Sequence, residues 1–340
     1  MKYKSLLRLL FLAFSFVFML ASCTKEGPMG PAGADGTNGT NGTNGTNGVD
    51  GTAFCLDCHA EAVMTEKSAE WAPSGHAIGF SLSYAGTRSG CSECHSGVGF
   101  IANLAGAEDI SGSPIGCDAC HTHGNPPVFQ DDNGDAVFIR TQEAVALREF
   151  TYTIDMKSSA NLCVNCHQPY EAPPVADSLG MFTVPSTHYG PHHGPQSVVL
   201  EGLGGIEIAG SMEYPGTKAH PHRKMADCTS CHLDGMNHKF AAPEISVCKT
   251  CHTTATDFNI GNKLTDLNTL AEEVATLLDQ TGITSGGHVV AGTYPVKLAS
   301  CFWNYSLFEE DKSEGIHNPD YMEALLTNTK EALEEIVAAQ

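Results

Sequence analysis

The sequence predicts a mainly α-helical chain with little regular secondary structure over most of its length and a group of longer helices at its C-terminal end. Three observations lead there. The pentapeptide Cys-x-x-Cys-His occurs six times between residues 55 and 252 and takes twelve of the fourteen cysteines. Around these motifs Gly and Pro break any sustained periodicity, as at Ser113-Pro114, Asn125-Pro126-Pro127 and Ala172-Pro173-Pro174, which is the texture of loops and short helices. Beyond residue 252 apolar residues recur at helical spacing.

The first 22 residues read as a removable leader. Lys2, Lys4 and Arg8 precede an apolar run from Leu9 to Leu20, and Leu-Ala-Ser-Cys closes it at residues 20–23. The run is too short for a lasting membrane span. Cys23 directly after small residues resembles a bacterial lipoprotein signal, in which that thiol is acylated; Thr24 behind it favours the outer membrane over the inner. Residues 23–53 then form the lipid anchor and a spacer, with glycine at every third position from Gly27 to Gly51. That is the Gly-x-y period of collagen, which serves either as a trimerising stalk or, with only two prolines, as a flexible tether.

Residues 54–260 carry the six motifs: Cys55/Cys58/His59, Cys91/Cys94/His95, Cys117/Cys120/His121, Cys163/Cys166/His167, Cys228/Cys231/His232 and Cys248/Cys251/His252. Each puts two thiols one helical turn apart, where they can add across the two vinyl groups of a haem while the adjacent histidine ligates the iron. The cofactor expected is therefore haem c, six copies, covalently held. Disulfides need no histidine after every second cysteine, and zinc sites built on Cys-x-x-Cys seldom have one at every pair. Cys91/Cys117 and Cys228/Cys248, closest in sequence, are expected to hold neighbouring haems. A hairpin is expected around Asp131-Asp132-Asn133-Gly134-Asp135, which lacks the spacing and terminal Glu of a calcium loop.

Residues 261–340 should be helical. Leu264, Leu267, Ala271, Val274 and Leu278 mark a helix over 263–280 with Gly282 as its stop; a second is expected over 298–310 and a third from Asn318-Pro319 onward. Packed together they would close one side of the haem array, with Cys301 a buried, inert thiol.

Ten histidines remain for the irons' second ligands. Context favours His76, His188, His192, His220, His238 and His317, with His123, His193, His222 and His288 as alternatives. A second imidazole saturates the iron, blocks substrate access and lowers the potential relative to His/Met ligation, so such a haem conducts rather than catalyses.

These motifs, His-Tyr-Gly-Pro-His-His at 188–193, Asn-His-Lys-Phe at 237–240, and Asn304-Tyr305 through Gly-Ile-His-Asn-Pro-Asp-Tyr-Met-Glu-Ala-Leu-Leu resemble the multihaem cytochromes c related to ammonia-forming nitrite reductase and hydroxylamine oxidoreductase. The resemblance covers roughly residues 54–340. It implies a cytochrome wrapped around stacked haems, with His317 as an axial ligand at the start of a long C-terminal helix. The departures bear on activity. Every motif here ends in histidine where the nitrite reductases have Cys-x-x-Cys-Lys at the catalytic haem, and no feature marks a tyrosine for the cross-link of the hydroxylamine enzymes. The expectation is thus an electron carrier between a quinol-oxidising complex or donor cytochrome and a terminal or extracellular acceptor. The alternative is an oxidoreductase with one open haem acting on a small nitrogen or sulfur compound.

Net charge is −21, with 18 Lys and Arg against 39 Asp and Glu. This excludes nucleic acid as a partner and electrostatic docking to anionic lipid, and it suits redox partners with a basic face. The chain is expected to be exported, on the periplasmic or cell-surface side.

Overall fold

The computed structural model describes residues 59–122, 129–130, 136–192 and 194–340. The leader, Cys23, the Gly-x-y stretch, Cys55, Cys58, His123, His193 and the acidic turn at 131–135 lie outside the described residues.

Short elements make up the motif-bearing stretch. α1 (Glu61–Trp71) and α2 (Gly75–Ile78) are followed by α3 (Ser92–His95), α4 (Gly97–Leu104) and α5 (Cys117–Cys120). Two antiparallel pairs come next, β1 (Phe129–Gln130) with β2 (Ala136–Val137) and β3 (Val145–Ala146) with β4 (Thr153–Ile154). The first pairs the two strands expected on either side of residues 131–135. Then come α6 (Asn161–Val164), β5 (Met181–Val184), α7 (Gln196–Glu201), α8 (Pro221–Met225), α9 (Cys228–His232) and α10 (Ile245–Cys248). Helices of one turn cannot sustain themselves, because nucleation costs more than so few bonds return. What they pack around has to fix them.

The C-terminal stretch is different in kind. α11 (Lys263–Thr281) ends at Gly282, whose φ of 76° lets the chain leave in the left-handed region. A hairpin of β6 (Thr284–Ser285) and β7 (His288–Val289) turns through Gly286 and Gly287 at φ of 60° and 81°, the backbone a two-residue turn of this hand requires. β8 (Gly292–Pro295) then pairs antiparallel with β5, from Met181 opposite Pro295 to Val184 opposite Gly292, and this ties the two stretches together. α12 (Val296–Asp311) and α13 (Pro319–Ala338) complete the chain. Asn318 caps α13, its side-chain oxygen accepting from Tyr321 N at 3.1 Å, and Pro319 supplies the first turn.

The apolar faces of α11, α12 and α13 meet in one core. Leu278, Trp303, Leu307, Met322, Leu325, Leu326 and Leu333 are fully buried there, each worth roughly 1.5–3 kcal/mol of apolar transfer. Cys301 is buried among them, and burial pushes its thiol up to about 12, which makes it inert.

The segment after α7 is laced into this core through its backbone. Trp303 Nε1 donates to Gly204 O at 2.8 Å, Gly205 N donates to Tyr321 OH at 2.9 Å, and Asn304 bonds both N–H and C=O of Ile206 at 2.7 and 2.9 Å. At Gly205 a Cβ would sit 2.5 Å from Leu325, so only glycine lets the backbone come this close. Just before it, the fully buried carboxylate of Glu201 is compensated by Arg223, by Lys218 Nζ at 3.3 Å and by Tyr152 OH at 2.8 Å. A buried charge persists only with such partners.

Candidate haem centre

In the five motifs whose cysteines are described, the two thiols are brought together by one turn of the chain. The closing bond runs from the motif histidine back to the first cysteine: His95 N to Cys91 O at 3.1 Å, His121 N to Cys117 O at 2.8 Å, His167 N to Cys163 O at 2.9 Å and His252 N to Cys248 O at 2.7 Å. This is the local conformation in which two thiols and an imidazole address one face of a ligand. Surrounding side chains hold the turns. Arg140 donates to Asp118 O at 2.7 Å and His121 O at 3.2 Å, clasping the third motif, and Asp227 caps α9 through a reciprocal bond with Ser230.

The fourth and sixth motifs both leave the helix before their second cysteine; beyond α6, Cys166 N donates to Cys163 O at 3.2 Å. α10 stops at Cys248, and Cys251 lies in the turn beyond it, its N donating to Cys248 O at 3.2 Å. Its thiol is exposed, as is that of Cys117, whereas the other described motif cysteines are half-buried. The reason is local. Lys249, Thr250, Thr253 and Thr254 around Cys251 are polar and exposed, so this stretch has no apolar side chain with which to draw the turn inward. The Cys248/Cys251 pair therefore sits at the rim of the fold.

Histidines from elsewhere in the chain face the motif histidines. Ring centres lie 6.3 Å apart for His167 and His76, 6.2 Å for His95 and His192, 6.1 Å for His121 and His238, 6.2 Å for His252 and His222, and 6.3 Å for His232 and His317. Two imidazoles bound to one metal from opposite sides have ring centres about 6.2 Å apart, from a metal–nitrogen bond of about 2.0 Å and about 1.1 Å from nitrogen to ring centre on each side. The residues present therefore fit haem held by thioether links and two axial imidazoles.

The imidazoles are oriented by their other nitrogen. Nδ1 lies 3.2 Å from Phe138 O in His121, 2.8 Å from Ala241 O in His232, 2.7 Å from Ile316 O in His222 and 3.1 Å from Met236 O in His238. A carbonyl oxygen only accepts, so Nδ1 carries the hydrogen in each and Nε2 keeps the lone pair a metal needs. His167 Nδ1 meets Gln196 Oε1 at 3.0 Å, and His317 Nδ1 meets Asp311 Oδ1 at 2.7 Å. Burial, with His167 opposite, pulls His76 down to about 4, and burial also lowers His167 and His222, which keeps these rings neutral. Burial would lower His317 too, but the Asp311 carboxylate outweighs it and holds the ring above its ordinary value.

Special backbone delivers several of the facing rings. His192 sits at φ 71°, in the left-handed region where histidine is one of the better-tolerated side chains. His76 lies on the single turn of α2, capped by Ser74, and its carbonyl accepts from Ile115 N at 3.1 Å. His238 N donates to Glu70 at 2.9 Å, and Phe240 lies edge-on to both His76, at 4.8 Å, and His238, at 5.9 Å. Two of the facing pairs are thus neighbours across one phenyl ring.

Contacts between motifs do not follow sequence order. The thiols of Cys94 and Cys166 shift each other's acidity, as do those of Cys163 and Cys228, so the fourth motif neighbours both the second and the fifth. The interleaving is close: Cys94 Sγ points at Asn165 O and Cys166 Sγ at Glu93 O. His238 lies between the fifth and sixth motifs in sequence yet faces the third.

The other expected site residues fall as follows. His59 opens the described chain and is exposed. His188 is exposed in the turn after β5, and His288 is exposed on β7. Among the described residues neither has a ring contact with a motif histidine. His220 is the N-cap of α8: its Nδ1 accepts from His222 N at 3.2 Å, and its ring lies 4.6 Å from that of His222. It is His222, an alternative at the level of sequence, that faces His252. Pro221 carried the signal, since proline at a first helical position makes the preceding residue the cap. Asp311, Gln196 and Arg140 had no local sequence signal, and Phe240 stood out only as the end of Asn-His-Lys-Phe.

No protein-family model matches the chain, and no curated protein matches it. Among solved structures, it is similar to the outer cell wall cytochrome OcwA at 19% identity and a TM-score of 0.51, over 78% of this chain and 50% of that one. The chain thus spans about half the length of that protein. The undecahaem cytochrome from the S-layer of Carboxydothermus ferrireducens aligns at 17% identity and a TM-score of 0.40, over 85% of this chain and 39% of that one. At 19% identity the likeness to OcwA shows the fold alone, a fold found in a solved cytochrome, and it agrees with the repeated Cys-x-x-Cys-His motif.

Proposed function

We propose that this chain is a hexahaem c-type cytochrome that carries electrons in an exported respiratory chain. Haem bound at these motifs supplies reversible one-electron exchange at iron. The protein's part is to attach it through paired cysteines, to fill axial positions with imidazole, and to aim those rings through their Nδ1 partners. The observation that carries the reading is the set of five facing histidine pairs at 6.1–6.3 Å. An iron with two protein ligands has no position for a substrate, which favours conduction over catalysis. Contacts among the second, fourth and fifth motifs suit transfer between sites.

The kinship with nitrite reductase and hydroxylamine oxidoreductase cytochromes rests on the stretches quoted above. Anchoring through acylated Cys23, a Gly-x-y spacer and delivery to the outer membrane or cell surface are read from the first 53 residues. Among the described residues no helix is long and apolar enough to cross a membrane. Donor and acceptor proteins would dock a basic face on this acidic chain.

The deciding experiment is a haem count and spin state on the purified protein. Six haems per chain, all low-spin and unmoved by carbon monoxide, cyanide or nitrite, are expected. Fewer than six, or a high-spin haem that takes up these ligands, would overturn the reading.

A further inference from the structure

Among the described residues, Nδ1 of a facing imidazole meets a neutral oxygen at Phe138, Ala241, Ile316 and Met236, through their carbonyls, and at Gln196, through its amide. His317 meets a carboxylate instead. Asp311 is 1% exposed at the end of α12, and its Oδ1 meets His317 Nδ1 at 2.7 Å while its Oδ2 accepts from Ser313 Oγ. The contrast is local. Gln196 Nε2 donates to Glu310 O and Asp311 O at 3.3 and 3.2 Å, which fixes the amide so that its oxygen faces His167. One corner of the fold therefore presents a neutral amide to one imidazole and a buried carboxylate to another.

We infer that Asp311 is a positioning residue that sets reduction potential, holding the site of Cys228, Cys231, His232 and His317 more negative than a neutral partner on His317 would. The inference rests on the reading of His232 and His317 as the two axial ligands of one haem. A carboxylate on Nδ1–H draws the hydrogen toward itself, and Nε2 becomes the stronger donor. A stronger donor, and a buried negative charge close by, both favour ferric over ferrous iron, because the ferric centre carries one more positive charge. Burial keeps water from screening that charge. Ser313 tempers it by bonding the second oxygen.

The test is a redox titration of the haem-loaded protein, with the haems resolved by electron paramagnetic resonance. Asp311→Asn should move one midpoint upward by at least a tenfold change in its one-electron equilibrium, about 59 mV, and leave the others in place. Ser313→Ala, which strips a hydrogen bond from the carboxylate, should move the same midpoint downward. His317→Ala should convert one low-spin haem to high-spin, and it must be the haem whose midpoint moved. If His317→Ala leaves every haem low-spin, the axial reading fails and the inference with it. If His317→Ala behaves as expected but Asp311→Asn moves no midpoint, the axial reading stands and the role of Asp311 is overturned. Shifts in the same direction for Asp311→Asn and Ser313→Ala would mean disturbed packing and would also overturn it. Should Asp311→Asn fail to fold, the downward shift in Ser313→Ala decides: its absence overturns the inference.

Discussion

In the C-terminal helices Trp303, Leu307, Leu325 and Leu333 are sealed from solvent, whereas α1 buries none of its eleven residues and Phe80, Met225 and Met236 are 70–82% exposed in the motif-bearing stretch. The two stretches solve the folding problem differently. The C-terminal helices supply most of one apolar core at helical spacing, and Ile154, Val164, Val184, Val198 and Val199 of the motif-bearing stretch are buried in that same core. The motif-bearing stretch otherwise has one-turn helices and clustered imidazoles, and the interior expected of it includes six macrocycles. The lesson is that apolar content alone misjudges such a chain: what counts is which stretch must supply its own core.

The largest effect should come from removing a cofactor site in the motif-bearing stretch. Cys163→Ser with Cys166→Ser is expected to lower the haem count by one and to expose residues 59–252 to limited proteolysis, while residues 263–338 stay protected. Uniform digestion of both stretches would break the comparison. Next in size, Trp303→Ala should cost about 3–5 kcal/mol in denaturant unfolding, through the lost ring and the unpaired Gly204 carbonyl, with the haem count unchanged. A lost haem in that variant would show that the haem sites depend on this core.

A smaller effect is expected at the cap of α13. Asn318→Ala removes the bond to Tyr321 N and should cost about 1 kcal/mol, read as a shift in the unfolding midpoint.

The smallest effect is electrostatic and belongs to the motif-bearing stretch. Lys157 and then Asn161 hold the Asp155 carboxyl at about 2, below its ordinary 3.8. A group depressed on folding contributes stability above its ordinary value and loses it as pH falls toward the folded one. The wild-type chain should therefore lose a little stability between about pH 4 and 2 that Asp155→Asn lacks throughout. Acid titrations followed by haem absorbance would show the two curves converging, and parallel curves would count against it.

Much of this was legible in the sequence. The three long helices declare themselves by apolar spacing, by Gly282 as a stop and by Asn318-Pro319 as a start, because helix ends obey local rules. The motif turns are legible for the same reason, although the motif alone does not say that the turn at Cys251 will lie open at the rim. The histidine pairing is not legible, since His76 faces His167 and His192 faces His95 across long stretches of chain, and only tertiary folding selects the partner. Spacing placed His238 between two motifs and gave no hint that it faces a third. Asp311 looked like one more acidic residue at a helix end, because the sequence carries no trace of what will lie beside it.

The thiol contacts between motifs bear on how such a chain can be made. Cys94 neighbours Cys166, and Cys163 neighbours Cys228. A chain that compacted in an oxidising compartment with these thiols still free would bring together wrong partners, ready for cross-linking and closed to haem. With haem attached at these motifs as proposed, the thioether links would have to form while the polypeptide is still open, before these thiols meet.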